Sequence, residues 1–195
     1  TPDEGSIHIF GKDISKKRSE IMAWVNYASA EFNLPWNLTI WENLLVYAKL
    51  YEVPDAKKRI TELLELFEMS HFKNTATRDL STGLRARANL CKALLNKPRL
   101  LLLDEPMASM DPDVVDKGIK LLKQIQKEEK ITILYTSHNM WEIEEIANDV
   151  IFINHGKIIA FGSPLELTQK VLKLEGGEAN LRDVFIHLSR SQNES

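Results

Sequence analysis

The sequence predicts an α/β fold with a mainly parallel core sheet, a small antiparallel β part and an inserted helical segment. Three observations carry that prediction. Residues 99–104 form an apolar run of strand length, a helix with Val115, Ile119, Leu122 and Ile125 at core spacing follows, and residues 131–136 read as the next strand. Strand, helix, strand in that order is a β-α-β unit, which demands parallel pairing and a right-handed crossover. Ahead of it, residues 39–95 read as helices only. Behind it, residues 150–154 and 157–161 alternate around His155-Gly156 as a hairpin.

The composition supports a folded chain. Of 195 residues, 44% are hydrophobic and 27% charged, too apolar for disorder and long enough for a real core. With 25 Lys+Arg against 28 Asp+Glu, the net charge of −3 gives no electrostatic case for binding nucleic acid. The one cysteine, Cys91, leaves no disulfide partner in the chain and fits a reducing compartment. The run Leu100-Leu101-Leu102-Leu103 falls far short of the roughly 20 residues that cross a bilayer.

Taken in order, residues 1–5 read as a turn. Because the chain opens in mid-pattern and without Met, it is expected to be a fragment. Residues 6–10 read as a strand ending at Gly11, and residues 21–25 as a second short strand. Residues 26–38 read as a loop, broken by Pro35 in a stretch crowded with Trp24, Tyr27, Phe32, Trp36 and Trp41. Those rings suit packing of the helical segment or docking of a partner, since aromatics are enriched in interface cores. Thr39 with Glu42 makes a capping box and starts a helix to about residue 51. Asp55 is expected to cap a second helix to about Phe67, with Ile60, Leu63, Leu64 and Phe67 on one face. Ser81 precedes a third helix over 84–95, which Pro98 ends. Asp111-Pro112 opens the crossover helix as N-cap and first-turn proline. Residues 140–147 read as a helix, and Ser163-Pro164 caps a more polar helical tail.

Four clusters carry candidate chemistry. The strand of four leucines ends in Asp104-Glu105-Pro106, which puts two carboxylates at the carboxyl edge of a parallel sheet, where open α/β sheets bind ligands. One acid can hold a hydrated Mg²⁺, which takes few carboxylates, and the other can polarise a water. Two solvated acids in a loop fit the same residues. Leu80-Ser81-Thr82-Gly83-Leu84 opens a helix with free N–H groups suited to a phosphate oxygen, though capping alone explains it as well. His138, just past a strand in Thr136-Ser137-His138, can donate to a phosphate or be structural. Asp111 needs no role beyond the helix start.

Together, and in this order, these segments resemble the nucleotide-binding subunit of ATP-binding cassette (ABC) transporters, a P-loop NTPase-type ATPase. The resemblance rests on Leu80–Leu84, residues 100–106, residues 108–112 (Ala-Ser-Met-Asp-Pro) and residues 136–138, and it covers nearly the whole chain. It implies an N-terminal β part over residues 1–25 and a helical subdomain with its preceding loop over 26–88. The ATPase core would then occupy 89–165 and a helical tail 166–195. It implies that Asp104 serves Mg²⁺ and Glu105 activates water. Ser81, Thr82 and Gly83 would contact the ATP held by a second subunit in a head-to-tail dimer. Asp111 would line that interface, and His138 would act as the switch histidine. The implied mechanism is ATP-driven closure, hydrolysis and reopening that drives a polytopic membrane subunit from the cytoplasmic face of the membrane. The tail residues 181–188 resemble export-type members. A soluble ABC-type ATPase or nucleotide-gated clamp is the alternative.

Three departures qualify the resemblance. The chain has no G-x-x-x-x-G-K-[ST] loop, which is expected just ahead of Thr1, so hydrolysis is expected of the intact protein rather than of these residues alone. The family's glutamine near the metal has Asn26 at roughly its place, a shorter amide. The signature segment ends in Leu84 where glutamine is usual.

Overall fold

Phe10 and Gly11 both adopt positive φ, 53° and 73°, the backbone of a tight hairpin turn. They join strands β1 (His8–Ile9) and β2 (Lys12–Asp13), paired antiparallel with Ile9 opposite Lys12. In this computed structural model, residues 3–29, 34–108, 110–172 and 180–191 are described; Phe32 and Ser109 lie outside them. The chain divides into two compact units, Thr1–Leu134 and Tyr135–Ser195.

The first unit departs from expectation directly after β2. Residues 21–25 are not a strand: Ile21 and Met22 belong to the last turn of helix α1 (Ile14–Met22), whose start Asp13 caps by accepting from the Ser15 N–H at 2.9 Å. The strand is β3 (Val25–Ser29), so Asn26–Ser29 are ladder rather than loop. β3 runs parallel to β4 (Leu100–Asp104), with Val25 opposite Leu100 and Ser29 opposite Asp104. Thr132, the first residue of β5 (Thr132–Thr136), donates to the Arg99 carbonyl at 2.9 Å, giving the order β3-β4-β5.

The helical segment follows its sequence signals with one exception. Thr39 and Glu42 close the capping box at the start of α2 (Ile40–Leu50). Asp55 stands at the N-cap of α3 (Ala56–Leu66) but makes no capping bond, because its left-handed backbone, φ 49°, turns the carboxylate away from the first N–H groups. Ser81 caps α4 (Thr82–Ala93), accepting from the Leu84 N–H at 3.3 Å. Ile40 and Leu44 of α2, Ile60, Leu63 and Leu64 of α3, and Leu90 of α4 are all buried. Arg59 ties α3 to the end of α4 by donating to the Leu94 carbonyl at 2.8 Å, a cation placed where helix carbonyls are unpaired. Helix α5 (Pro112–Glu129) buries Val115, Ile119, Leu122 and Ile125, the four residues its spacing selects.

The second unit packs α6 (Met140–Ile146), the hairpin β6 (Val150–Asn154) with β7 (Lys157–Gly162), α7 (Pro164–Leu172) and α8 (Leu181–Ser191). Val150 and Phe152 of β6 meet Leu167, Leu181 and Val184 in one core. On the hairpin's other face, Ile151 lies opposite Phe161 and Ile153 opposite Ile158, and all four are exposed.

Candidate functional site

β4 delivers the two acids. Leu101 and Leu103 are buried beneath the sheet, which anchors the strand, and Asp104 emerges exposed at its carboxyl end. On the neighbouring strand the Tyr27 hydroxyl donates to Asp104 Oδ2 at 3.3 Å. Glu105 then takes φ 49°, a left-handed conformation that costs a non-glycine residue about 1–2 kcal/mol. Buried Met107 sits two residues beyond it. The loop closes as the Ala108 N–H donates to the Glu105 carbonyl and the Met110 N–H to the Met107 carbonyl. Glycine at 118 makes room for this loop: a Cβ there would lie 2.7 Å from Met107 Cε. Asp111 occupies the N-cap of α5 without a side-chain capping bond, and its carboxylate is exposed.

Ser81, Thr82 and Gly83 form a separate group at the start of α4. Two bonds fix how α4 lies along β3: the Asn89 amide donates to the Ser29 carbonyl, and the Asn26 amide donates to the Ala93 carbonyl at 2.6 Å. The helix therefore runs antiparallel to the strand. Its first turn projects past the carboxyl edge by the seven residues from 82 to 89, about 10 Å. Ser81 and Thr82 are exposed there, and a Cβ on Gly83 would meet nothing within 4 Å, so the helix start is open to a close approach. Arg85 braces the turn by donating to the Leu80 carbonyl at 2.7 Å and lies 5.5 Å from the ring of exposed Trp36. Trp24 is spent on packing: it meets Phe10 edge-on at 5.9 Å and Arg99 at 5.0 Å.

Asn26 does not take the place expected of it. It is the second residue of β3, only 7% exposed, and its amide is committed to the Ala93 carbonyl and Asn96 Oδ1. Opposite Leu101, it sits three positions back from the edge that carries Asp104. A metal near Asp104 cannot draw on it. Among the described residues no three His, Cys, Asp or Glu side chains gather to hold a metal. Asp104 as a single carboxylate ligand still fits Mg²⁺, which keeps most of its waters.

In the second unit His138 is exposed in the loop between β5 and α6. Sequence reasoning missed the residue that holds this loop. Glu142, 5% exposed, accepts from the Tyr135 hydroxyl at 2.8 Å, the Ser137 hydroxyl at 2.9 Å and the Asn139 amide at 3.1 Å. Asn139 in turn caps α6 by accepting from the Trp141 N–H. His138 thus lies inside a loop pinned on both sides to one buried carboxylate.

The carboxyl edge of a parallel sheet, here carrying adjacent acids, is where open α/β sheets bind ligands, and an open helix start is the geometry that receives anions. Comparison with known proteins gives the class. Residues 1–108 match the family described as "ABC transporter". The methionine import ATP-binding protein MetN 1 of Acinetobacter baylyi is 31% identical over 188 residues, covering 89% of this chain and 53% of the relative. The bacitracin transport ATP-binding protein BcrA of Bacillus licheniformis is 34% identical over 158 residues, covering 81% and 51%. The chain spans about half the length of these relatives. A solved ATP-binding subunit of an ABC transporter superposes with a TM-score of 0.84 over 96% of this chain and 78% of that one, at 22% identity, a likeness of fold. The chain belongs to the ABC transporter family and has the α/β fold of its ATPase subunits.

Proposed function

We propose that this chain is the ATP-binding and ATP-hydrolysing part of a transporter that powers export through a separate membrane subunit. The observation that carries the reading is the edge of β4, where exposed Asp104 is followed by Glu105 in a left-handed turn. Adjacent residues that differ in backbone class point their carboxylates in different directions, which suits two roles. Asp104 would hold the water shell of Mg²⁺, and the ion when bound offsets charge on the phosphates. Glu105 would accept the proton of the attacking water. The Ser81 hydroxyl and the N–H groups that open α4 would donate to phosphate oxygens of ATP on a second subunit, arranged head to tail. Asp111, exposed beyond the Glu105 loop, would face that subunit. His138, held by the Glu142 clamp, would donate to the transferring phosphoryl group. Charge stabilisation and positioning dominate such chemistry, with little covalent work for the protein.

No described helix is long and apolar enough to cross a membrane, so the reading assigns passage of the cargo to a partner. The names of MetN 1 and BcrA, both ATP-binding proteins of transport systems, support the transport role. Export rests on the tail around α8. The test is steady-state ATP hydrolysis by the whole protein assembled with its membrane subunit. Asp104→Asn should lower turnover by about 100-fold or more, within the range one charged active-site group supplies. Wild-type turnover in that variant would remove Asp104 from the site.

A further inference from the structure

The end of α3 with the residues after it, α4, the loop after β4 and α5 line a half-open cleft of about 360 Å³ that the ATP chemistry leaves unused. That volume falls at the lower end of small-ligand pockets, about 300–1,000 Å³. Its walls include Phe67, Leu90, Met107 and Leu121, apolar surface suited to an alkyl chain. Methionine adapts to ligands of varied shape, so Met107 gives this wall some compliance. Gly118 shapes the floor: any side chain there would drive the tip of Met107 out of its place.

The remaining lining residues add the charge. Arg87, Lys117 and Lys120 stand against a single carboxylate, Glu68. Arg87 is only loosely held, 3.8 Å from Glu68 Oε2 and 3.5 Å from the Phe67 carbonyl. Lys120 is paired with Asp116 at 2.6 Å. Lys117 is exposed and has no ion pair among the described residues. With Arg87 facing Glu68 and Lys120 facing Asp116, Lys117 is the one cation of the three in excess over the apolar slot, and it calls for one negative group on a greasy body.

We propose that this cavity binds an amphipathic monoanion, an alkyl carboxylate. Its chain lies against Phe67, Leu90 and Met107, and its head group meets Lys117 and Arg87. The site borders the loop that follows Glu105 through Met107 and Met110 but includes none of the residues assigned to phosphate chemistry, and decanoate binding is read without ATP, so it stands or falls independently of the ATPase reading.

The test is calorimetric titration of the full chain with sodium decanoate below its micelle concentration, and with decanol as the uncharged control. Saturable binding of one decanoate is expected, with decanol about tenfold weaker or more. Lys117→Glu, an exposed change that leaves the fold alone, should weaken decanoate about tenfold, a loss of about 1.4 kcal/mol. Leu121→Trp, checked for folding by circular dichroism, should fill the slot and abolish binding. No saturable binding overturns the proposal. Equal affinity for decanol and decanoate overturns the charge assignment, and full binding by a folded Leu121→Trp overturns the location.

Discussion

The Tyr27 hydroxyl donates to Asp104 Oδ2 across the parallel pair of β3 and β4, two positions out of register, since Tyr27 stands opposite Leu102. The bond is long, 3.3 Å, and Tyr27 is half-exposed, so it orients Asp104 more than it stabilises the sheet. Tyr27→Phe keeps the ring and removes only the donor. A bond to a charged group is worth at most about 1.5–3 kcal/mol when well made, and this one is long and wet. The expected result is therefore a modest change, up to about tenfold, in the Mg²⁺ concentration that half-saturates ATP hydrolysis, with thermal stability unchanged. A magnesium titration of wild type and variant checks it.

Glu142 gives a larger effect by a different route. It is buried and accepts three side-chain hydrogen bonds, so Glu142→Ala removes the acceptor that Tyr135, Ser137 and Asn139 share. Each bond to the carboxylate contributes about 0.5–1.5 kcal/mol, or more to a charged acceptor, and these half-buried to exposed donors can turn to water, which recovers part of the loss. A loss of about 2–4 kcal/mol is expected in urea unfolding. Ser137→Ala, which removes one donor and leaves the carboxylate two, should cost about 1 kcal/mol.

Gly118 separates two opposing terms. In mid-helix, Gly→Ala gains about 1 kcal/mol of helix propensity. The new methyl would lie 2.7 Å from Met107 Cε, the movable end of a flexible side chain, beside a cavity that can receive it. The two terms should nearly cancel, leaving Gly118→Ala close to wild type in thermal unfolding. Gly118→Val cannot be absorbed in this way and should cost about 1–3 kcal/mol by overpacking.

The capping box of α2 predicts a pH dependence. Glu42 accepts from the Thr39 N–H at 2.8 Å and the Thr39 hydroxyl at 2.9 Å, and these bonds, the backbone one first, hold its carboxyl below the ordinary 4.5. The unfolded chain then takes up the proton at higher pH than the folded one. The stabilisation is accordingly complete above about pH 4.5 and is lost as pH falls through the lower folded value. Glu42→Gln should be less stable than wild type at neutral pH, and the gap should narrow as the pH is lowered below 4.5. Urea unfolding at both ends of that range measures it.

What the sequence made legible follows from where each signal is local. Four leucines followed by Asp104-Glu105-Pro106 read as a strand end, because burial on both faces and a proline stop are written in consecutive residues. Thr39 with Glu42 and Ser81 with Leu84 were readable for the same reason, each cap lying within one turn of its partner. β3 was not. Its second residue is a polar asparagine, which looks like loop until the Ala93 carbonyl, 67 residues away, supplies a partner for the buried amide. That misreading also set Asn26 too near the site. Glu142 was not singled out within the helix read over residues 140–147. The available signal was its spacing from Asn139, N-cap to third helical position, the arrangement of a capping box. Asp55 carries the cap residue type without the cap bond because its backbone is left-handed, whereas Asp111 has the usual extended N-cap backbone, φ −66° and ψ 149°, and nothing in the structure explains its missing bond.

In the proposed mechanism Glu105 activates the water that cleaves ATP. The most direct measurement is the mass and nucleotide content of Glu105→Gln after incubation of the whole protein with ATP and Mg²⁺, by light scattering with analysis of the bound nucleotide. Removal of a general base costs about 10²- to 10⁴-fold, so a dimer holding uncleaved ATP should accumulate while the wild type releases ADP. A variant that turns ATP over at the wild-type rate, with no retained ATP, would contradict the account.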